Sequence, residues 1–96
     1  MEITLDYSKA ERQAQCLEQC ASDLLRHSRE VGSIIADVRN VWQGDTANAY
    51  VRKLAALEDE LRVNAERCGR DAIDFRAKIK AIKLADEEAK AAIEND

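Results

Sequence analysis

Val41-Trp42-Gln43-Gly44-Asp45 is the stretch on which the fold turns. It lies midway along 96 residues that include no proline, and it holds the only Trp. Gly44 has no Cβ, so it can take the left-handed conformation that ends a helix after Gln43. Asp45 can then cap the next helix, its carboxylate accepting from free N–H groups and complementing the helix dipole. Trp42, on the last turn of the first helix, is placed to cover the elbow. The stretch predicts an all-α, two-helix antiparallel hairpin. Its first helix covers about 9–42, its turn 43–45 and its second helix about 46–84, with a frayed or mobile helical tail over 85–96.

On the N-terminal side of the elbow, Ala10, Ala14, Leu17, Ala21, Leu24, Ser28, Val31, Ile35, Val38 and Trp42 recur at spacings of four and three. Such sustained spacing is a coiled-coil-like seam. A second row, Cys20, His27, Ile34 and Val41, flanks it one position earlier, and Leu25 widens it on the other side. Ser8 with Glu11 makes a capping box, which starts the first helix at Lys9. Residues 1–7 alternate apolar and polar, yet a lone short strand has no partner here. They read as an extended lead-in that lays Ile3 and Leu5 on a helix.

On the C-terminal side the pattern resumes as Ala47, Tyr50, Leu54, Leu57, Leu61, Asn64 and Cys68. Gly69 then falls inside the helix, at a cost of about 1 kcal/mol relative to Ala. The seam goes on as Ala72, Phe75, Ile79 and Ile82 after a four-four step, which locally relaxes supercoiling and predicts a bend near Gly69. From Leu84 onward the residues favour helix but offer little to bury, hence the mobile tail.

The two helices would span roughly 50 to 60 Å at 1.5 Å per residue. Each has one intramolecular neighbour, and each stripe is wider than one neighbour needs, so a partner is expected to cover the rest. The expected solution is a four-helix bundle of two hairpins, identical or not. Its interface is read as Leu17, Leu24, Val31, Ile35, Val38, Tyr50, Leu54, Leu57, Leu61, Phe75 and Ile79, some of them facing the internal seam.

Composition narrows the function. Hydrophobic residues make up 46%, aromatics 4% and charged residues 35%, the profile of long helices or coiled coils in one domain. A net charge of −4 gives no basic field for a nucleic-acid backbone. No run of about 18 apolar residues spans a membrane, and Met1 to Tyr7 carry no basic region ahead of an apolar core, so no cleaved signal peptide is expected.

Chemistry is not suggested either. Glu18, Asp23, Asp37, Glu58, Asp59 and Glu60 stand at helical spacing beside Arg and Lys, as solvated ion pairs do. No Gly-rich phosphate loop exists, and Cys68 faces no His that would activate it. No cofactor, metal site or catalytic residue is predicted, and His27 reads as a boundary residue beside the seam. Cys16, Cys20 and Cys68 lack zinc-finger spacing and read as reduced, packed thiols. A turn at 43–45 nevertheless sets Cys20 level with Cys68, and a disulfide between them is the alternative, provided the Cα atoms come within about 7 Å.

Trp42-Gln43-Gly44 at the centre of about a hundred residues, between two amphipathic helices, resembles the WXG family, the ESAT-six-like proteins of type VII secretion. The likeness extends to Asp45-Thr46-Ala47-Asn48-Ala49-Tyr50, small residues and then an aromatic after the Gly, and to the Ile3-x-Leu5-Asp6 lead-in. The resemblance implies a helical hairpin that pairs with itself or a relative. It also implies export from the bacterial cytoplasm by the type VII machinery, or escort of a larger substrate to it. Trp42 and Gly44 carry over as recognition residues beside the partner's helix end. The family's C-terminal export motif, an aromatic followed four residues later by an acid, has no counterpart: Ile79 stands four residues after Phe75, and no Tyr follows Tyr50. This departure points to a partner that supplies the motif, such as the helical N-terminal domain of an LXG-type toxin or a sister hairpin. The expected function is that of a non-enzymatic adaptor for such a substrate. A self-sufficient secreted homodimer and a cytosolic structural coiled coil with no secretion role are the alternatives.

Overall fold

Asp6 caps the first helix. In the computed structural model, which describes residues 6–95, its backbone is extended and its carboxylate accepts from the Lys9 amide at 3.1 Å, capping a helix that starts one residue later. This helix, α1, runs Tyr7–Val41, and a second, α2, runs Asp45–Glu94. They pack as an antiparallel hairpin with no strand among the described residues, the all-α fold that the periodicity predicts. The Ile3 and Leu5 lead-in lies outside the described residues.

The N-terminal cap differs from the expected one. Ser8 lies inside the first turn, so no Ser8–Glu11 capping box forms. Asp caps as well as Ser does, and starting at Asp6 brings Tyr7 into the helix. The Tyr7 hydroxyl then donates to Asp86 Oδ2 at 3.5 Å, and Lys83 Nζ sits 5.8 Å from the ring centroid. These contacts fasten the open end of the hairpin.

The seam on α1 follows the predicted rows. Ala10, Ala14, Ser28, Val31 and Ile35 are buried, and Leu17, Ala21, Leu24 and Val38 are half-buried. On α2 the phase is shifted. Ala47, Val51, Ala65, Ala72 and Ile79 are buried, with Leu54, Glu58, Leu61, Cys68 and Phe75 half-buried, so the spacing alternates four and three throughout. The four-four step disappears, and α2 runs unbroken through Gly69. Tyr50 and Leu57 stand outside the seam.

Side-chain size explains the shift. Val31, Ile35 and Val51 form the buried cluster, with Val38, Leu54 and Leu61 against it, but most of the other seam residues are Ala or Ser. Small residues let the helices approach closely enough for the Ser28 hydroxyl to donate to the Glu58 backbone carbonyl at 3.0 Å. A tyrosine in that row would hold the backbones apart. Glu58 is tolerated because its carboxylate lies over Gly32, 3.5 Å from where a Cβ would stand there.

The helices differ in length, 35 residues against 50, and the hairpin measures 78 × 17 × 15 Å. The last turns of α2 extend past the start of α1. Residues 87–95 are all exposed, as their composition predicts, although the helix continues to Glu94 rather than ending at 84. Ala and Glu sustain the helix locally where no tertiary contact among the described residues does.

Candidate protein-interaction surface

The elbow is built from Trp42, Gln43 and Gly44. Trp42 has left the helix: its φ and ψ are −134° and 130°, and its amide donates to the Val38 carbonyl at 2.8 Å as the C-cap of α1. Gly44 has φ 108° and ψ −179°, a positive φ as expected but with extended rather than left-handed helical ψ. That region is essentially reserved for glycine. Nothing lies within 4 Å of where its Cβ would be, so backbone conformation alone requires Gly here. Gly44 is itself the N-cap of α2, its carbonyl accepting from the Asn48 amide at 3.0 Å. Asp45 therefore makes no cap. It is the first helical residue, where its charge still faces the positive end of the dipole.

The Trp42 ring lies across the elbow against Tyr50, with centroids 6.0 Å apart and planes inclined by 52°. With Thr46, Ala49 and Lys53 the two rings line a shallow, open groove of about 200 Å³. Both rings stay exposed, Trp42 at 44% and Tyr50 at 47%. Ile34 and Val41 immediately precede seam positions on α1, as Tyr50 and Leu57 do on α2. In an antiparallel pair such positions share one flank. The elbow half of this flank is thus an apolar strip of Ile34, Val41, Trp42, Tyr50 and Leu57, every one of them exposed.

The opposite flank is chemically different. Arg76 reaches across from α2 to bind Glu18 through Nε at 2.7 Å and Glu11 through a terminal nitrogen at 2.5 Å. The Glu18 bond, then burial and Glu11, act on the Arg76 guanidinium, with the net effect of raising its pKa. Arg62 pairs with Asp59 and Glu66 along α2 on this side, whereas Arg26 with Asp23 and Glu30 lies on the outer face of α1. His27, in the row of Ile34 and Val41 and so on the strip's own flank, is exposed, with Nδ1 3.3 Å from Glu30 Oε2. Among the described residues, no cluster of three or more His, Cys, Asp or Glu is arranged to hold a metal ion, and no helix is long and apolar enough to cross a membrane.

The residues read from the sequence as an interface divide accordingly. Leu17, Leu24, Val31, Ile35, Val38, Leu54, Leu61, Phe75 and Ile79 line the seam between α1 and α2 and are occupied there. Only Tyr50 and Leu57 are free on the flank. Ile34 and Val41 belong with them, and their seven-residue spacing one place before the seam was the available signal. Ile73, Leu84 and Ile93 are further exposed apolar residues on α2, at no spacing that marks them in the sequence. Cys16, Cys20 and Cys68 are free thiols, Cys16 and Cys20 exposed and Cys68 half-buried. Comparison with protein-family models, curated proteins and solved structures finds no significant match to this chain.

Proposed function

We propose that this hairpin is a non-enzymatic adaptor that docks a helical partner on the elbow strip and supports that partner's export by a type VII secretion system. The observation that carries the reading is the exposed strip Ile34, Val41, Trp42, Tyr50 and Leu57, continuous with the Trp-x-Gly elbow. A hairpin whose fully buried positions are mostly Ala and Ser covers little apolar surface at its centre, and a partner helix laid on this strip would complete a bundle. The resemblance to the WXG family supplies the secretion context, and Ile79, standing where an acid would complete an aromatic–acid motif after Phe75, favours a partner that supplies that signal. The helical N-terminal domain of an LXG-type toxin has the required chemistry, as does a sister hairpin.

Two substitutions test the docking. Leu57→Asp places a charge on the strip and is expected to abolish capture of the toxin domain while the far-UV spectrum stays helical. Leu24→Asp charges the seam and is expected to unfold the hairpin. Unchanged capture by Leu57→Asp would refute the docking surface. In a strain carrying the secretion system, Trp42→Ala is expected to stop partner export with helicity intact; unaffected export would leave the elbow as a plain turn, as in a structural coiled coil. Light scattering of the chain alone separates adaptor from homodimer: a monomer fits the former, a stable dimer the latter.

A further inference from the structure

Cys20 and Cys68 are paired by the fold. Cys68 occupies the seam row that also holds Leu61 and Phe75, and it is half-buried; Cys20 immediately precedes the seam residue Ala21 and is exposed. Cross-helix bonds bracket their level, Ser28 to Glu58 on the elbow side and Arg76 to Glu18 on the other. Ordinary helix pairs sit 8–10 Å apart, too far for most cysteines to bridge, since a disulfide needs Cα atoms within roughly 7 Å. Here Ala21, Ala65 and Ala72 surround the level, Ala72 being 1% exposed, and Gly69 follows Cys68. Small residues at this level bring the backbones closer than a leucine seam would. The thiols also feel one another: burial first, and then contact with Cys20, push the Cys68 thiol above its ordinary pKa.

We propose that Cys20 and Cys68 form a reversible disulfide that clasps the two helices at the level of Ala21 and Ala72. The oxidant is a low-molecular-weight disulfide such as oxidised glutathione. The exposed Cys20 thiolate attacks it, forming a mixed disulfide and releasing one glutathione thiolate. The Cys68 thiolate then attacks the Cys20 sulfur, forming the protein S–S bond and releasing the second. Two thiol protons go to the two departing thiolates, and two electrons go to the oxidant. Cys16, four residues earlier on an exposed face of α1, is not at this level, so its oxidation links separate molecules instead. The clasp acts within one hairpin and does not depend on the secretion reading.

The test uses the full chain with Cys16→Ser, equilibrated over a series of oxidised-to-reduced glutathione ratios. The folded chain is expected to lose two thiols and about 2 Da while staying the same size in solution. Peptide mapping should join the segments holding residues 20 and 68. The effective concentration of one thiol at the other should be at least about tenfold higher in the folded chain than in urea. The oxidised form should unfold on the order of 10 °C higher than the reduced form. Cys20→Ser, at an exposed position, keeps the fold and should abolish both the bridge and the rise. The proposal is overturned if the folded chain retains both thiols at ratios that oxidise the urea-unfolded chain, or if oxidation yields only intermolecular links. A bridge that lowers the unfolding temperature would overturn it equally, because the helices would then be too far apart to accept it.

Discussion

The phase of α2 is best tested by comparing two adjacent residues, Tyr50 and Val51. Tyr50 is 47% exposed and Val51 only 7%, in contact with the cluster that includes Val31 and Ile35. Val51→Ala removes two buried methyl groups, about 0.8 kcal/mol each from transfer alone, and leaves a small cavity, so about 2 kcal/mol of stability is lost. For a domain of this size 1 kcal/mol moves the midpoint by about 4–8 °C, which predicts a fall of roughly 8–16 °C. Tyr50→Ala loses mainly the tilted contact with Trp42, worth about 0.5–1.5 kcal/mol, and half of its ring surface is in water already. Its fall should be smaller than that of Val51→Ala, by a factor of about two. Thermal melts followed by circular dichroism measure both, run over a concentration series so that loss of self-association at the strip is not mistaken for loss of hairpin stability. If Tyr50→Ala proves the more destabilising at the lowest concentration, α2 is rotated by one residue, and the assignment of Leu57 to the docking strip falls with it.

The glycines give a paired prediction. Gly44→Ala forces a Cβ into a positive-φ conformation and should cost about 1–3 kcal/mol, whereas Gly69→Ala, inside α2 with open space around it, should stabilise by up to about 1 kcal/mol; urea titrations of the two variants should shift in opposite directions. The open end responds to alkali. Burial first, then Asp86, raises the Tyr7 pKa above 10.0, with Glu87 adding and Lys90 opposing. A raised pKa on a group that is neutral when protonated means stability that is complete below the ordinary tyrosine pKa and lost as pH rises through the folded value. Melts from about pH 8 to 11.5 in a Cys68→Ser background, which removes the thiol that titrates nearby, should therefore decline at the alkaline end. Tyr7→Phe should flatten the decline, and an equal decline in that variant would show that the Tyr7–Asp86 contact plays no part.

Much of this arrangement was legible in the sequence because it depends on periodicity and on one turn. The α1 rows from Ala10 to Val38 and the need for Gly44 both follow from local rules. The phase of α2 did not, because two rows compete there: Tyr50, Leu57 and Asn64 against Val51, Glu58 and Ala65. Hydrophobicity alone favours the row with Tyr and Leu. Close packing favours the row with small residues, since Ala14, Ala21 and Ser28 on α1 leave room only for a near backbone. That is a property of two helices together, invisible when each is read by itself. The caps show a milder form of the same competition. Asp6 and Ser8 are comparable caps, and the contact between Tyr7 and Asp86, far apart in sequence, favours the earlier start. The interface residues stay undivided in the sequence for a related reason: a single stripe cannot say which of its sides a neighbour takes, and only the placement of α2 frees Tyr50 and Leu57.

The contrast between the two flanks means that the hairpin has edges answering to different solvents. Arg76 with Glu11 and Glu18 is a partly exposed, charge-based fastening, which dissolved sodium chloride screens over a Debye length of about 10 Å at 0.1 M. The strip from Ile34 to Leu57 holds through excluded water, so sulfate strengthens whatever rests on it. Ionic strength and ion type thus act on separate sides of one thin molecule, loosening its own closure near Arg76 while leaving, or tightening, its grip at the elbow.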